Sequence, residues 1–208
     1  MGVETLVAGL GDKRRKRAES AVEYVAASAS IQTVVISFFV NTYLLDTHFA
    51  PSQVGPSSVT MSSERWSGND KADLMFRGLD ATVKTLRRAG KIVVLAVDVP
   101  ELPFSPKDCL GRPGSSLFAH ECRSPRNAVS ERESLMRALL ARVSAENSGV
   151  GVYDPTRLFC DDQSCRFEST DAVLYRDVHH LTAGGSEYVA RDLLRWLDAR
   201  PTPRASPA

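Results

Sequence analysis

Four stretches of the chain carry apolar residues at helical spacing, and three of them run straight into short, continuous apolar segments. The first puts Ala18, Val22, Val25 and Ala29 on one face of a helix over 18–29, and "QTVVISFFV" follows, dense in β-branched and aromatic residues. The second covers 70–89 with a stripe of Leu74, Leu79, Val83 and Leu86; Gly90 then stands as a C′ residue ahead of "KIVVLAV". The third opens at Ser130, where Ser-Glu-Arg-Glu reads as a capping box closed by Glu133. Leu135, Leu139 and Val143 form its stripe, and "GVGVYD" at 149–154 is its strand. A last helix is predicted from Ala183 to Leu197, with Thr182 as N-cap and Val189, Leu193, Trp196 and Leu197 facing inward.

Helices alternating with short apolar strands predict an α/β fold, a three-layer sandwich whose parallel sheet is covered on both faces. Ligands in such folds bind at the carboxyl ends of the strands. The segments that matter are then "NTYLLD", "DVPELPFSP" and residues 154–180. Two insertions, 46–69 and 99–127, are long enough for lids or substrate loops. A length of 208 residues with 43% hydrophobic content suits one domain, expected over 1–198, with 199–208 as a disordered tail.

A net charge of +1 argues for neither a nucleic-acid binder nor an acidic tail; the one local candidate, the basic run Lys13–Arg17, has no interleaved aromatics and reads as a solvated helix turn, so no nucleic-acid partner is expected. The apolar run Ile31–Leu45 is interrupted by polar residues and falls short of the roughly 20 residues a spanning helix needs. The first residues show no secretion signal or myristoylation pattern. Four cysteines fall into two close pairs, Cys109 with Cys122 and Cys160 with Cys165, which suggests disulfides and an oxidising compartment. "CDDQSC" lacks the second pair that a zinc site would use, so no metal and no cofactor is expected.

In "LYRDVHHLTAGG", Asp177 and His180 lie three apart, directly before the last helix, where one turn brings their side chains together. A carboxylate on an imidazole Nδ1 proton fixes the tautomer and stabilises the imidazolium, so that Nε2 can take a proton from a nucleophile. His179 is expected to point elsewhere, exposed or packed. The nucleophile itself is not evident. There is no G-x-S-x-G elbow, and no Gly-Asp-Ser; "GLGDKR" has Lys13 where a serine would stand. "SGND" at 67–70 reads as an N-cap cluster, and nothing marks Ser115 or Ser116 as activated.

Three segments, "KIVVLAVDVPELPFSPKDCLGRP", "YDPTRLFCDDQSCRF" and "LYRDVHHLTAGGSEYVA", resemble the SGNH-type domain fused to the C-terminus of bacterial acyltransferase-3 membrane proteins, which O-acetylate cell-surface polysaccharides. The resemblance runs from about Gly2 to Leu197. It implies an SGNH/flavodoxin-like fold, a catalytic role for Asp177 and His180, and a disulfide between Cys160 and Cys165. It places Asn41 near the position of a polar oxyanion donor, a loop turn being the plain alternative. Pro100–Pro103 becomes a rigid loop beside the site, with Glu101 unassigned.

In that family the serine sits in a Gly-Asp-Ser-His block at the end of a first strand. The resemblance implies that this strand is missing, that the chain starts inside the domain, and that a membrane acyltransferase domain precedes it in a parent on the periplasmic face of the inner membrane. The expected substrates are an acyl donor and a polysaccharide, the reaction O-acyl transfer or ester hydrolysis, and the isolated chain is expected to be inactive for want of its nucleophile. The alternative is a non-catalytic remnant that binds a glycan or a partner through the old cleft.

Overall fold

A computed structural model of the chain describes residues 12–45, 47, 49, 50, 71–110 and 122–200. The "SGND" cluster, Ser115, Ser116, the first residues and the tail beyond Arg200 lie outside the described residues. Three strands, β1 (Thr33–Ile36), β2 (Ile92–Ala96) and β4 (Gly151–Tyr153), form one parallel sheet in the order β1-β2-β4. Helices α1 (Asp12–Ala27), α3 (Lys71–Arg88) and α5 (Arg126–Glu146) alternate with them, and α7 (Ala183–Asp198) closes the fold. Single turns α2 (Asn41–Leu44), α4 (Pro106–Cys109) and α6 (Thr156–Phe159) occupy the connections. A second, antiparallel pair of strands, β3 (Ser124–Pro125) and β5 (Ser164–Cys165), lay beyond the sequence pattern, because two residues carry no periodicity.

Strand alternation sorts the layers. Val34, Ile36, Val93, Leu95 and Val152 point into the main core, where they meet Leu74, Leu79, Val83 and Leu86 of α3 and Met136, Leu140 and Val143 of α5. Tyr153, the next residue after Val152, faces the opposite way and packs edge-on against Trp196 of α7, ring centroids 5.5 Å apart. The sheet is thus covered by α1, α3 and α5 on one face and by α7 on the other, the α/β sandwich that the pattern predicts.

Two local expectations hold in detail. Gly90 has φ +76°, its N–H bonds to Arg87 O at 2.9 Å and the Lys91 N–H to Leu86 O at 3.0 Å, the paired closure that ends a helix at glycine. Thr182 caps α7 by accepting the Gly185 N–H at 3.0 Å. The third helix departs from expectation. It starts at Arg126, behind Pro125, so Ser130 lies one turn inside and donates to Arg126 O instead of capping. Glu133, expected to close the box, is buried and paired with Arg137. Leu135 is exposed, since the buried face runs through Val129, Met136, Leu139, Leu140 and Val143, with Leu135 off its edge.

Candidate functional site

The chain leaves β4 at Asp154, and the segment from there to α7 is held by short-range bonds. The Thr156 N–H bonds to Asp154 Oδ1 at 2.9 Å, while Arg137 of α5 reaches Asp154 Oδ2 at 2.6 Å, Glu133 Oε2 at 2.7 Å and Thr156 Oγ1 at 2.7 Å. Both expected disulfides are present, Cys109–Cys122 and Cys160–Cys165, the second bracketing the turn that leads into β5. Beyond it a small separate core of Leu102, Leu158, Phe159, Phe167, Leu174 and Tyr175 forms a floor. On this floor residues 175–181 make a tight turn, with Tyr175 and Leu181 bridged and the Arg176 N–H bonded to His180 O at 2.8 Å.

Asp177 sits at the head of that turn. Its Oδ1 accepts the N–H groups of His179 at 3.1 Å and His180 at 2.8 Å, the side-chain-to-backbone closure that suits aspartate in a turn. The same carboxylate meets His180 Nδ1 at 2.9 Å and 3.0 Å. Desolvation by itself would raise the Asp177 carboxyl; the two amide bonds and the His180 ring outweigh it and hold the carboxyl down to about 2. Asp177 is therefore a carboxylate at any physiological pH. With Nδ1 engaged, the bare nitrogen of a neutral His180 is Nε2, on the far side of a ring that is 53% exposed.

His179 is packed, one of the two outcomes expected, but it does not point away from His180. Its ring stacks on Phe39, which follows β1, at 4.6 Å and 13° between planes, and lies 4.1 Å from the His180 ring at 45°. The adjacent histidine is thus a spacer between the strand exit and the candidate base. Burial depresses its basicity, helped by the neighbouring His180. Its Nδ1 is buried and has no hydrogen-bond partner among the described residues.

The loop after β2 is fastened to this turn. The Leu102 N–H bonds to Val178 O at 2.8 Å and the Tyr175 hydroxyl donates to Pro100 O at 2.8 Å. Glu101, which the sequence left without a role, is 2% exposed and accepts from Arg132 Nε at 2.7 Å; Arg132 also donates to Thr47 O and Oγ1 at 2.8 Å and 3.0 Å. One buried guanidinium therefore gathers the loops after β1 and β2 onto α5. Asp98, at the carboxyl end of β2, is pushed up to about 7 by burial, with the charges of Glu133 and Glu101 adding to the effect against its bond from the Val99 N–H. Asn41 opens α2, buried, with Oδ1 unpartnered among the described residues.

Among protein families, residues 5–195 match the SGNH domain (fused to AT3 domains). The chain belongs to this family. The match spans most of the 208 residues, and it carries an acyl-transfer or hydrolase type of function together with a membrane acyltransferase as the partner domain of such parents. A comparison with curated proteins gave no match. No helix among the described residues is long and apolar enough to cross a membrane.

Of the residues singled out beforehand, the structure of this SGNH domain brings Asp177 and His180 into contact and both cysteine pairs into bonds. It puts Asn41 two residues beyond Phe39, the residue that stacks on His179. Sequence reasoning missed Phe39, Arg132 and Asp98. For Asp98 a signal existed: it is a carboxylate directly at a strand's carboxyl end. Arg132 and Phe39 act across 31 and more than a hundred positions of the chain, a distance over which one sequence gives no pairing information.

Proposed function

We propose that this SGNH domain supplies the base of an O-acyl transfer or ester hydrolysis on acetyl groups of cell-surface polysaccharide. The observation that carries this is the Asp177–His180 contact: an ionised carboxylate, fixed by two amides, holds Nδ1 so that Nε2 is the proton acceptor. His180 Nε2 takes the proton of a hydroxyl as its oxygen attacks the acyl carbonyl. The resulting imidazolium, stabilised by Asp177, then returns the proton to the departing alkoxide, and a sugar hydroxyl or water completes the cycle by the same route. Asn41 is the candidate for the group that faces the developing oxyanion, its Nδ2 being the atom that could donate, supported by its burial at the exit of β1. The two disulfides support folding in an oxidising space, and the family supports a parent anchored in the inner membrane with this domain in the periplasm.

The attacking hydroxyl is the part we assign outside these residues. No Gly-Asp-Ser string occurs in the sequence, and among the described residues no serine is hydrogen-bonded to His180. Accordingly the purified chain should hydrolyse a chromogenic acetate ester negligibly, since removing a triad's nucleophile leaves only residual catalysis. Robust turnover that His180→Ala abolishes would keep the base and place the nucleophile within the chain. Robust turnover indifferent to His180→Ala would sink the proposal.

A further inference from the structure

The turn that carries the dyad has donor atoms beyond those that acid–base chemistry uses. One donor atom each from Asp177, His179 and His180 lie within 4.8 Å of one another. His179 Nδ1 stands 3.9 Å from Asp177 Oδ1, too far for a hydrogen bond, and is buried without a partner among the described residues. Two ligands of one tetrahedral zinc ion, at bonds of about 2.0–2.1 Å, stand about 3.4 Å apart. His180 Nδ1 and Asp177 Oδ1 are already 3.0 Å apart. The carboxylate is oriented by two amides, and the Phe39 stack fixes the His179 ring, so two of the three ligands need little ordering. The opposing charge is Arg176, whose Nε lies 3.5 Å from Asp177 Oδ2 on an exposed side chain that can swing out to solvent.

We propose that Asp177, His179 and His180 bind a borderline transition-metal dication such as Zn²⁺, and that the bound ion switches the dyad off. Two imidazoles and one carboxylate are a donor set for such ions and not for hard cations. An ion on His180 Nδ1 displaces the proton now shared with Asp177, and the neutral ring then carries its proton on Nε2. That is the atom the base must keep bare. Proton count is unchanged; only the tautomer is inverted. The switching rests on the reading of His180 as base, whereas the binding does not.

Isothermal titration of the full chain with Zn²⁺ should show one ion bound, Mg²⁺ should give no saturable heat, and affinity should fall at least about tenfold in His179→Ala and in His179→Gln. Circular dichroism confirms that each variant is folded, and the second replacement serves if the first is not. Long-range ¹H–¹⁵N spectra of His180 should show the proton on Nδ1 without metal and on Nε2 with Zn²⁺. No saturable Zn²⁺ binding, or unchanged affinity in a folded His179 variant, which would move the ion to His48 or His120, overturns the site. Bound Zn²⁺ with the proton still on Nδ1 overturns the switch. Failure of the base reading is separately visible, as absence of the Nδ1 proton from the metal-free spectrum.

Discussion

At the β4 margin of the sheet, Tyr153 is 1% exposed, its hydroxyl bonded to Asp192 of α7 at 2.9 Å, and Arg157 reaches the same carboxylate at 2.6 Å. At the β1 margin, Val35 faces the same side of the sheet and is 37% exposed, and β1 has a single neighbour among the described residues. The contrast separates two jobs. The Asp177–His180 pair is held mainly by residues 154–182, through local turns, a disulfide and a small core that Leu102 of the loop after β2 also enters, so its geometry depends little on the β1 margin. The β1 side meets the pair through Phe39 on His179 and through Thr47 on Arg132. A strand edge without a neighbour accepts another strand readily, so β1, with one neighbour among the described residues, is the margin of the sheet open to addition.

The largest expected effect comes from the residue that joins the two sides. Arg132→Ala leaves Glu101 buried and unpaired and should lower unfolding stability by about 3–5 kcal/mol in denaturant titrations. Arg132→Met combined with Glu101→Leu should recover most of that loss. If the double variant is no better than the single, the pair holds the loops by shape and not by charge.

Asp98 comes next, with a sign that depends on pH. Its carboxyl titrates at about 7 in the fold against the ordinary value of 3.8, so the folded state holds the extra proton between these limits. Stability therefore falls as pH rises from about 4 to about 7 and stays lower above. Asp98→Asn should gain roughly 1–3 kcal/mol at pH 8 and almost nothing at pH 4. An equal gain at both values would refute the assignment.

Thr182→Ala removes the cap of α7 and the hydroxyl's bond to Val173 O at 2.8 Å, and should cost about 1 kcal/mol, with amide exchange quickened at the start of α7 and unchanged in α3. Exchange rising equally in both helices would show that the dyad's segment does not stand apart as described. The smallest effect is the stack between the two sides. A double-mutant cycle on Phe39 and His179 should return a coupling of about 0.5–1.5 kcal/mol. Zero coupling would mean that the margins are independent at this point too.

How much of this was legible in the sequence follows from distance along the chain. Asp177 and His180 are three apart, and the disulfide partners are separated by 13 and 5 positions, so composition and spacing exposed them. The parallel sheet was legible because its strands are continuous β-branched runs. The start of α5 was misread because a serine and a glutamate three apart imitate a cap; Pro125, whose ring presets φ for the turn that follows, marks the boundary instead. His179 was misjudged for a related reason. The two histidines are neighbours in sequence, yet in the turn closed by Asp177 their rings lie 4.1 Å apart, and the ring that pins His179 comes from Phe39 in the segment after β1.

The Cys109–Cys122 bond makes a covalent ring of the segment between α4 and β3. A protease cut anywhere inside that ring leaves a molecule of unchanged mass but for one water, its halves joined until a reductant parts them. A peptide spliced into the ring would hang from a fixed pair of anchor points rather than from two mobile ends. Both anchor cysteines pack against the small core beneath Asp177 and His180, so the ring's fixed points belong to the floor of the site.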